Sequence, residues 1–167
     1  MSAPLTKTQI AENSILDLNG RQTYLGNSFT LPMPGATLTD GTETPIAVIR
    51  NVAGSGKSLF FMQQIVSTDA NNCLVRFYLN PTLNVPGSTT SARGLRSGST
   101  TASISTCYLG ATITANGTLL YALPADASGT ESTVLYVLDP GDTLLMTAEQ
   151  PTVTTTNVYV MNAWYEI

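Results

Sequence analysis

The chain has 167 residues, the size of one domain, and its composition of 43% apolar and only 11% charged residues is not that of a disordered segment. Its seven cations are scattered and its net charge is −4, which excludes bulk electrostatic attraction to nucleic acid. The absence of histidine excludes Ser-His-Asp and Cys-His catalysis and histidine-bearing zinc sites, and two cysteines are too few for an all-cysteine zinc site.

Residues 1–27 are polar and without strand alternation, and are expected to form an N-terminal arm. Within it, TQIAENSILDL (Thr8 to Leu18) has the makings of a short helix, with Thr8 as N-cap and Ile10, Ile15 and Leu18 on one broad side. Two readings stay open: a loosely attached terminus, or an arm that docks on a neighbouring subunit through Ile10 and Ile15. The opening MSAPLTKTQIAENS has no apolar stretch of the secretory kind. No run approaches the roughly 18 apolar residues of a membrane span, so synthesis in a cytoplasm and no membrane partner are expected.

From residue 28 onward the chain reads as strands divided by turn chemistry. Phe29–Leu31 is closed by Pro32 and Pro34, and Pro45–Val52 alternates before a Gly-Ser-Gly turn. Ser58–Ser67 follows, then Cys73–Leu79, with Cys73, Val75, Phe77 and Leu79 on one face and Leu74, Arg76 and Tyr78 on the other. Pro81 to Ser103 is rich in Pro, Gly, Ser and Thr and reads as one long loop, of the kind that is functional or mobile. It carries Arg93 and Arg96, which are expected to contact an acidic partner surface, since guanidinium groups grip carboxylates bidentately. Strands resume at Ser105–Leu109, Ile113–Thr114, Leu119–Leu123, Thr133–Leu138, Thr143–Glu149 and Asn157–Glu166. The Asp139-Pro140-Gly141-Asp142 turn predicts a hairpin between two of them. In the last strand Val158, Val160, Asn162 and Trp164 share one face. The whole predicts an all-β domain over 28–167: an antiparallel, jelly-roll-like β-sandwich of about 8–10 strands.

One motif suggests chemistry. VAGSGKS, residues 52–58, looks like a phosphate-binding loop, but Asn51 stands where that loop needs its first glycine. The loop must also open a helix, whereas LFFMQQIV is short, β-branched and aromatic. A hairpin turn between two antiparallel strands is therefore expected, with ATP hydrolysis the alternative for this motif alone. Asp139 and Asp142 lack the run of oxygen ligands of a calcium loop, Glu149 and Glu166 could meet across the sheet but nothing places them in a cleft, and both cysteines suit small buried positions. No catalytic, metal or cofactor site is expected.

Two stretches carry a family resemblance. One is an apolar strand, a Gly-rich turn and a strand ending in IVSTDANNCLVRFYLNP; the other is LDPGDTLLMTAEQPTVTTTNVYVMNAWYEI, which ends in an aromatic followed by Glu. Over roughly residues 40–80 and 133–167 the chain resembles small jelly-roll virion structural proteins of tailed phages, the capsid cement or decoration type. The resemblance implies a non-enzymatic subunit on the capsid surface that assembles with itself, commonly as a homotrimer, and stabilises a shell of major capsid protein. The competing expectation is a receptor-binding head of a tail or fibre, which recognises a host through loops such as 86–103.

Overall fold

In the computed structural model, residues 22–23, 25–38, 41–69, 72–133, 136–151 and 155–167 are described. The arm helix expected over Thr8–Leu18 lies outside them.

Strands dominate because β-branched and aromatic residues alternate with polar ones. They are β1 (Ser28–Pro32), β2 (Ala36–Leu38), β3 (Thr44–Asn51), β4 (Leu59–Thr68), β5 (Cys73–Leu79), β6 (Thr82–Val85), β7 (Ser88–Thr90), β8 (Arg93–Gly94), β9 (Ser105–Leu109), β10 (Thr112–Ala115), β11 (Thr118–Ala125), β12 (Thr130–Ser132), β13 (Tyr136–Leu138), β14 (Thr143–Glu149) and β15 (Thr156–Glu166). Every pairing among them is antiparallel. Sheet A runs β12-β4-β15-β1-β8, with β13 sharing the β4 edge of β12 and β2 sharing the β15 edge of β1. Sheet B runs β11-β5-β14-β3-β9-β7, and β6 and β10 form a separate ribbon.

The inner faces of both sheets supply the core. Cys73, Val75 and Phe77 point into it, as do Val158, Val160 and Trp164, in keeping with the sequence alternation. A chain of aromatic rings crosses it. Phe77 stacks on Tyr121 (ring centroids 4.6 Å), Tyr121 meets Tyr136 (5.9 Å), and Tyr136 stacks on Phe61 (4.4 Å). Phe61 meets Trp164 (5.6 Å), which meets Phe29 (6.4 Å). The rings come in turn from β5, β11, β13, β4, β15 and β1, so the series joins the two sheets. Burial raises the pKa of Tyr121 and Tyr136 far above the ordinary phenol value. A smaller cluster lies on the other face of sheet B, where Val48, Tyr78 and Leu145 pack with Ala111, Leu83 and Ile113 of the ribbon and its flank.

Three expectations are corrected. The turn after β3 is not a hairpin: β3 belongs to sheet B and β4 to sheet A, so residues 52–58 cross between sheets. The Asp139–Asp142 turn also crosses, from β13 in sheet A to β14 in sheet B. Glycine-rich and Asp-Pro-Gly turns serve either geometry, so local chemistry did not discriminate them. The stretch 81–103 is not one loop, because it holds β6, β7 and β8. These strands have only two to four residues each, too few to show a clear alternation, and they raise the strand number above the 8–10 expected.

The ring chain predicts two unequal outcomes. Phe61→Ala removes a ring that touches both Tyr136 and Trp164 and should destabilise by about 3–5 kcal/mol in urea titration. Tyr136→Phe keeps the ring and deletes a buried hydroxyl whose polar neighbour is the Tyr121 phenol, and should change stability by less than about 1.5 kcal/mol.

Candidate functional site

The phosphate-loop look-alike is built as a structural crossover. Asn51, fully buried, donates through Nδ2 to the Lys57 carbonyl (2.8 Å) and the Leu138 carbonyl (2.9 Å). Its Oδ1 accepts from the Ser55 hydroxyl (2.9 Å). A phosphate loop presents free backbone N–H groups to its ligand. Here the Ser55 N–H donates to the Val52 carbonyl, the Lys57 N–H to the Ser55 hydroxyl and the Ser58 N–H to the Ile167 carbonyl. Leu59–Thr68 is a strand, so the required helix is missing as well. The same end of the sandwich carries the Asp139–Asp142 crossover, where Ser58 donates to Asp139 and Asn80 to Asp142. Asp142 also accepts the Asp139 N–H. Those carboxylates fasten turns together, and among the described residues no acid, histidine or cysteine group is arranged to hold a metal.

Glu149 and Glu166 do not meet. Glu149 lies 2.6 Å from Arg76, whose other carboxylate neighbour is Glu43 at 3.6 Å. Tyr78 and Thr147 both donate to Glu43. Partial burial works against the Arg76 charge, but the bond to Glu149 and the field of Glu43 outweigh it and raise its pKa. The group cross-links the start of β3 to β5 and β14, beside a cavity of about 350 Å3 lined by Asn72, Cys73, Leu74, Arg76, Pro124, Glu149 and Pro151. The sequence signal was only Arg76 opposing the core face of β5; its acids stand 33 residues before it and 73 after. Glu166 is buried and accepts from Ser103, the Ile104 N–H and Trp164 Nε1, pinning the segment that leads into β9 to the last strand.

Arg93 and Arg96 are both exposed, but Arg93 belongs to a strand rather than a mobile loop. It stands opposite Thr30, Thr30 opposite Ala163, and Ala163 opposite Gln63, forming one cross-strand row. Directly paired residues project on the same side of a sheet, so Arg93 rims the outer face of sheet A. Ile10 and Ile15 lie outside the described residues.

Alternation along the last strand puts Tyr159, Met161, Ala163 and Tyr165 on one face, and the fold adds that β4 lies beside it to form the outer face of sheet A. Phe60, Met62, Gln63, Ile65 and Ser67 of β4 lie on that side, with Tyr159, Met161, Ala163 and Tyr165 of β15; Tyr159 is exposed, Ala163 and Tyr165 are buried, and the others are half-buried. Phe60 stacks on Tyr165 at 5.1 Å. The outward residues of these two strands include no charge. A shallow groove of about 290 Å3 crosses the face between Met62, Gln63, Leu95, Glu131, Thr133 and Ala163. Arg93 borders the face on the β8 side, and Glu131 on the other, where it accepts from Gln63 Nε2 (2.7 Å). Such a face can bury apolar surface without stranding an ion.

Two measurements check these assignments. Asn51→Gly completes the phosphate-loop pattern, but removes the amide's bonds to the Lys57 and Leu138 carbonyls and to the Ser55 hydroxyl; it should destabilise by about 2–4 kcal/mol and confer no ATP binding by calorimetry. Saturable ATP binding by that variant would overturn the crossover reading. Cys73 and Cys107 are free and buried, and burial pushes both thiols up to about 11. Both should therefore stay unreacted towards a thiol-specific dye at pH 8, as protonated thiols out of reach, and both should react once the chain is unfolded. No family model matches this chain, and neither a curated protein nor a solved structure matches it.

Proposed function

We propose that this chain is a non-enzymatic virion structural protein of the cement type, which binds a shell of major capsid protein through the outer face of sheet A. The observation that carries the reading is the charge-free, largely apolar outward surface of β4 and β15, with Arg93 at one margin and Glu131 at the other. A subunit repeated over a shell needs a modest contact on each copy, because the contacts act together. Apolar burial at about 25 cal/mol per Å2 supplies affinity, and the opposed marginal charges set orientation.

The jelly-roll reading is supported by strand order. With residues 82–115 taken as an insertion and the short β2 beside β15 left out, sheet A reads β12/β13-β4-β15-β1 and sheet B reads β11-β5-β14-β3. Strands consecutive in the chain then mostly lie in opposite sheets, as in the eight-stranded double Greek key.

A host-binding head is the second reading, favoured by one feature of the insertion. A cavity of about 270 Å3 is lined by Thr89, Thr90, Ser91, Ala92, Ala102, Ser103, Ser105 and Thr106, a hydroxyl-rich setting suited to a polar ligand such as a glycan.

The test is co-sedimentation of the purified chain with undecorated shells. Met62→Lys combined with Leu95→Asp should weaken binding at least tenfold without lowering the melting temperature by more than a few degrees. Arg93→Ala should have a smaller, salt-dependent effect. Undiminished shell binding by the double variant would overturn the assignment of this face. Specific adsorption to host cells, lost on changes in the hydroxyl-lined cavity, would favour the adhesive reading.

A further inference from the structure

Exposure is graded along the outer face of sheet A. Tyr159 is 41% exposed and Met161 is half-buried, whereas Ala163 and Tyr165 retain 5% and 8% although they alternate with the core residues of β15. Ser28 stands directly opposite Tyr165 and alternates with the core residue Phe29, yet it is fully buried. Its hydroxyl has no hydrogen-bond partner among the described residues. The face is therefore covered most at the end where the chain enters β1.

The entering chain is the last turn of a helix. Gln22, Thr23 and Leu25 are helical. The Asn27 N–H donates to the Gln22 carbonyl (2.9 Å) and the Gly26 N–H to the Thr23 carbonyl (3.0 Å), with Gly26 at a φ of +79°. This pair of bonds around a left-handed glycine is the Schellman ending, and it fixes the direction from which the chain arrives. The turn has a covered side, since Gln22 is buried and Leu25 is 51% exposed. On a helix the residues four and seven places before Gln22 share its side, and those are Leu18 and Ile15. The junction is fastened at the β8 margin of the face. There the Leu95 N–H donates to the Ser28 carbonyl, the Glu166 N–H donates to the Asn27 carbonyl, and Gly26 lies against Ser99. Leu95 itself lines the groove on the outer face.

We propose that the N-terminal arm, residues 1–21, is an intramolecular cover for the outer face of sheet A, running from the β1 junction towards β12 with Ile15 and Leu18 turned to Tyr165, Phe60 and the groove. Reach agrees with this. Glu131 pairs with Ile65, which pairs with Met161, four residues before Tyr165 on β15. From Ser28 it is three strand spacings across, about 14 Å, and four residues along, about 13 Å, or about 19 Å on the diagonal. Lys7 stands fifteen residues before Gln22, about 22 Å along a helix. Charge agrees as well. Of the arm's four charged side chains (Lys7, Glu12, Asp17 and Arg21), Asp17 falls near the junction, where Arg93 rims the face, and Lys7 at the far reach, beside Glu131. If the same face binds a shell, arm and shell compete for it. That consequence rests on the shell-binding reading, whereas the docking of the arm does not.

The test uses the full-length chain at about 10 μM, where a segment tethered to its own face outcompetes one from another molecule. Lys7→Cys with Glu131→Cys should be joined within one monomer by a short thiol-to-thiol crosslinker, at least ten times faster than the same pair carrying Ile15→Asp and Leu18→Asp. Equal rates would mean that the arm is merely tethered, and would overturn the proposal. Products joined between two molecules would overturn it too, by placing the arm on a neighbour. The second readout is oxidation by hydrogen peroxide, followed by mass spectrometry. With otherwise native sequence, Ile15→Asp with Leu18→Asp should oxidise Met62 and Met161 at least threefold faster than the wild type. Met146, buried in the core, should be unchanged and so reports that the fold is intact. If Met146 also reacts faster, Ile15→Ala with Leu18→Ala replaces the aspartate pair. Unchanged oxidation of Met62 and Met161 in a folded variant would overturn the cover. Neither readout contains shells, so the arm can fail while shell binding by this face stands, and the reverse.

Discussion

The sandwich depends on the row of six rings that joins its two sheets. Phe77 and Tyr121 come from sheet B, and Tyr136, Phe61, Trp164 and Phe29 from sheet A. Aromatic contacts of this kind add directional preference to apolar burial, so they fix the offset of one sheet over the other as well as holding them together. The rest of the core fills around that row. It also explains a polar interior feature: Tyr121 reaches Gln64 with its hydroxyl (3.1 Å), and Asn162 turns its amide to the sulfur of Met146 (3.0 Å). Buried polar groups so close to the rings tolerate few alternative packings, which favours one register over its neighbours.

A chain that crosses between sheets must end each strand in a turn that satisfies backbone groups leaving one ladder before they enter the next. Asn51 meets that demand at one end of the sandwich, holding the crossover after β3 to the carbonyl that closes β13. Asn80, Asp139 and Asp142 complete the same knot, with Asn80 also accepting the Thr143 N–H. A glycine at position 51 has no side chain to do this. The departure from the phosphate-loop pattern is therefore the feature that lets this segment act as a joint.

The strands themselves were legible because period-two alternation is local. β5, β9 and β14 fall at the expected residues, and β15 within one residue of its expected start. Sheet membership was not legible, because glycine and Asp-Pro-Gly turns carry no record of whether the next strand pairs with the last. The strands of 82–94 were hidden because they are two to four residues long and set among Pro, Gly, Ser and Thr. The Arg76 group and the outer face of sheet A were hidden for a topological reason. Glu43, Arg76 and Glu149 are far apart in sequence, and β4 meets β15 across about half the chain. Their alternating faces were visible singly, but which faces coincide is a property of the fold.

The charge content takes on meaning once the acids are placed. Asp69 accepts from the Asn157 N–H and side chain and from Thr156, and these bonds hold its carboxyl below the usual range. Asp126 accepts the N–H groups of Ser128 and Gly129, Asp142 that of Asp139, and Glu166 that of Ile104. Glu43 and Glu149 flank one guanidinium. These carboxylates therefore fasten turns and strand ends, where a charged acceptor binds an N–H more strongly than a neutral one. What remains for the outward residues of β4, β15 and β11 is neutral. Desolvating such surfaces requires stripping no ion of its water, whereas a chain with the usual quarter of charged residues would meet that penalty on most of its faces. A low charge count placed this way leaves a folded domain with turns that are electrostatically secured and faces that are inexpensive to cover, which is the physical basis of the role proposed for it.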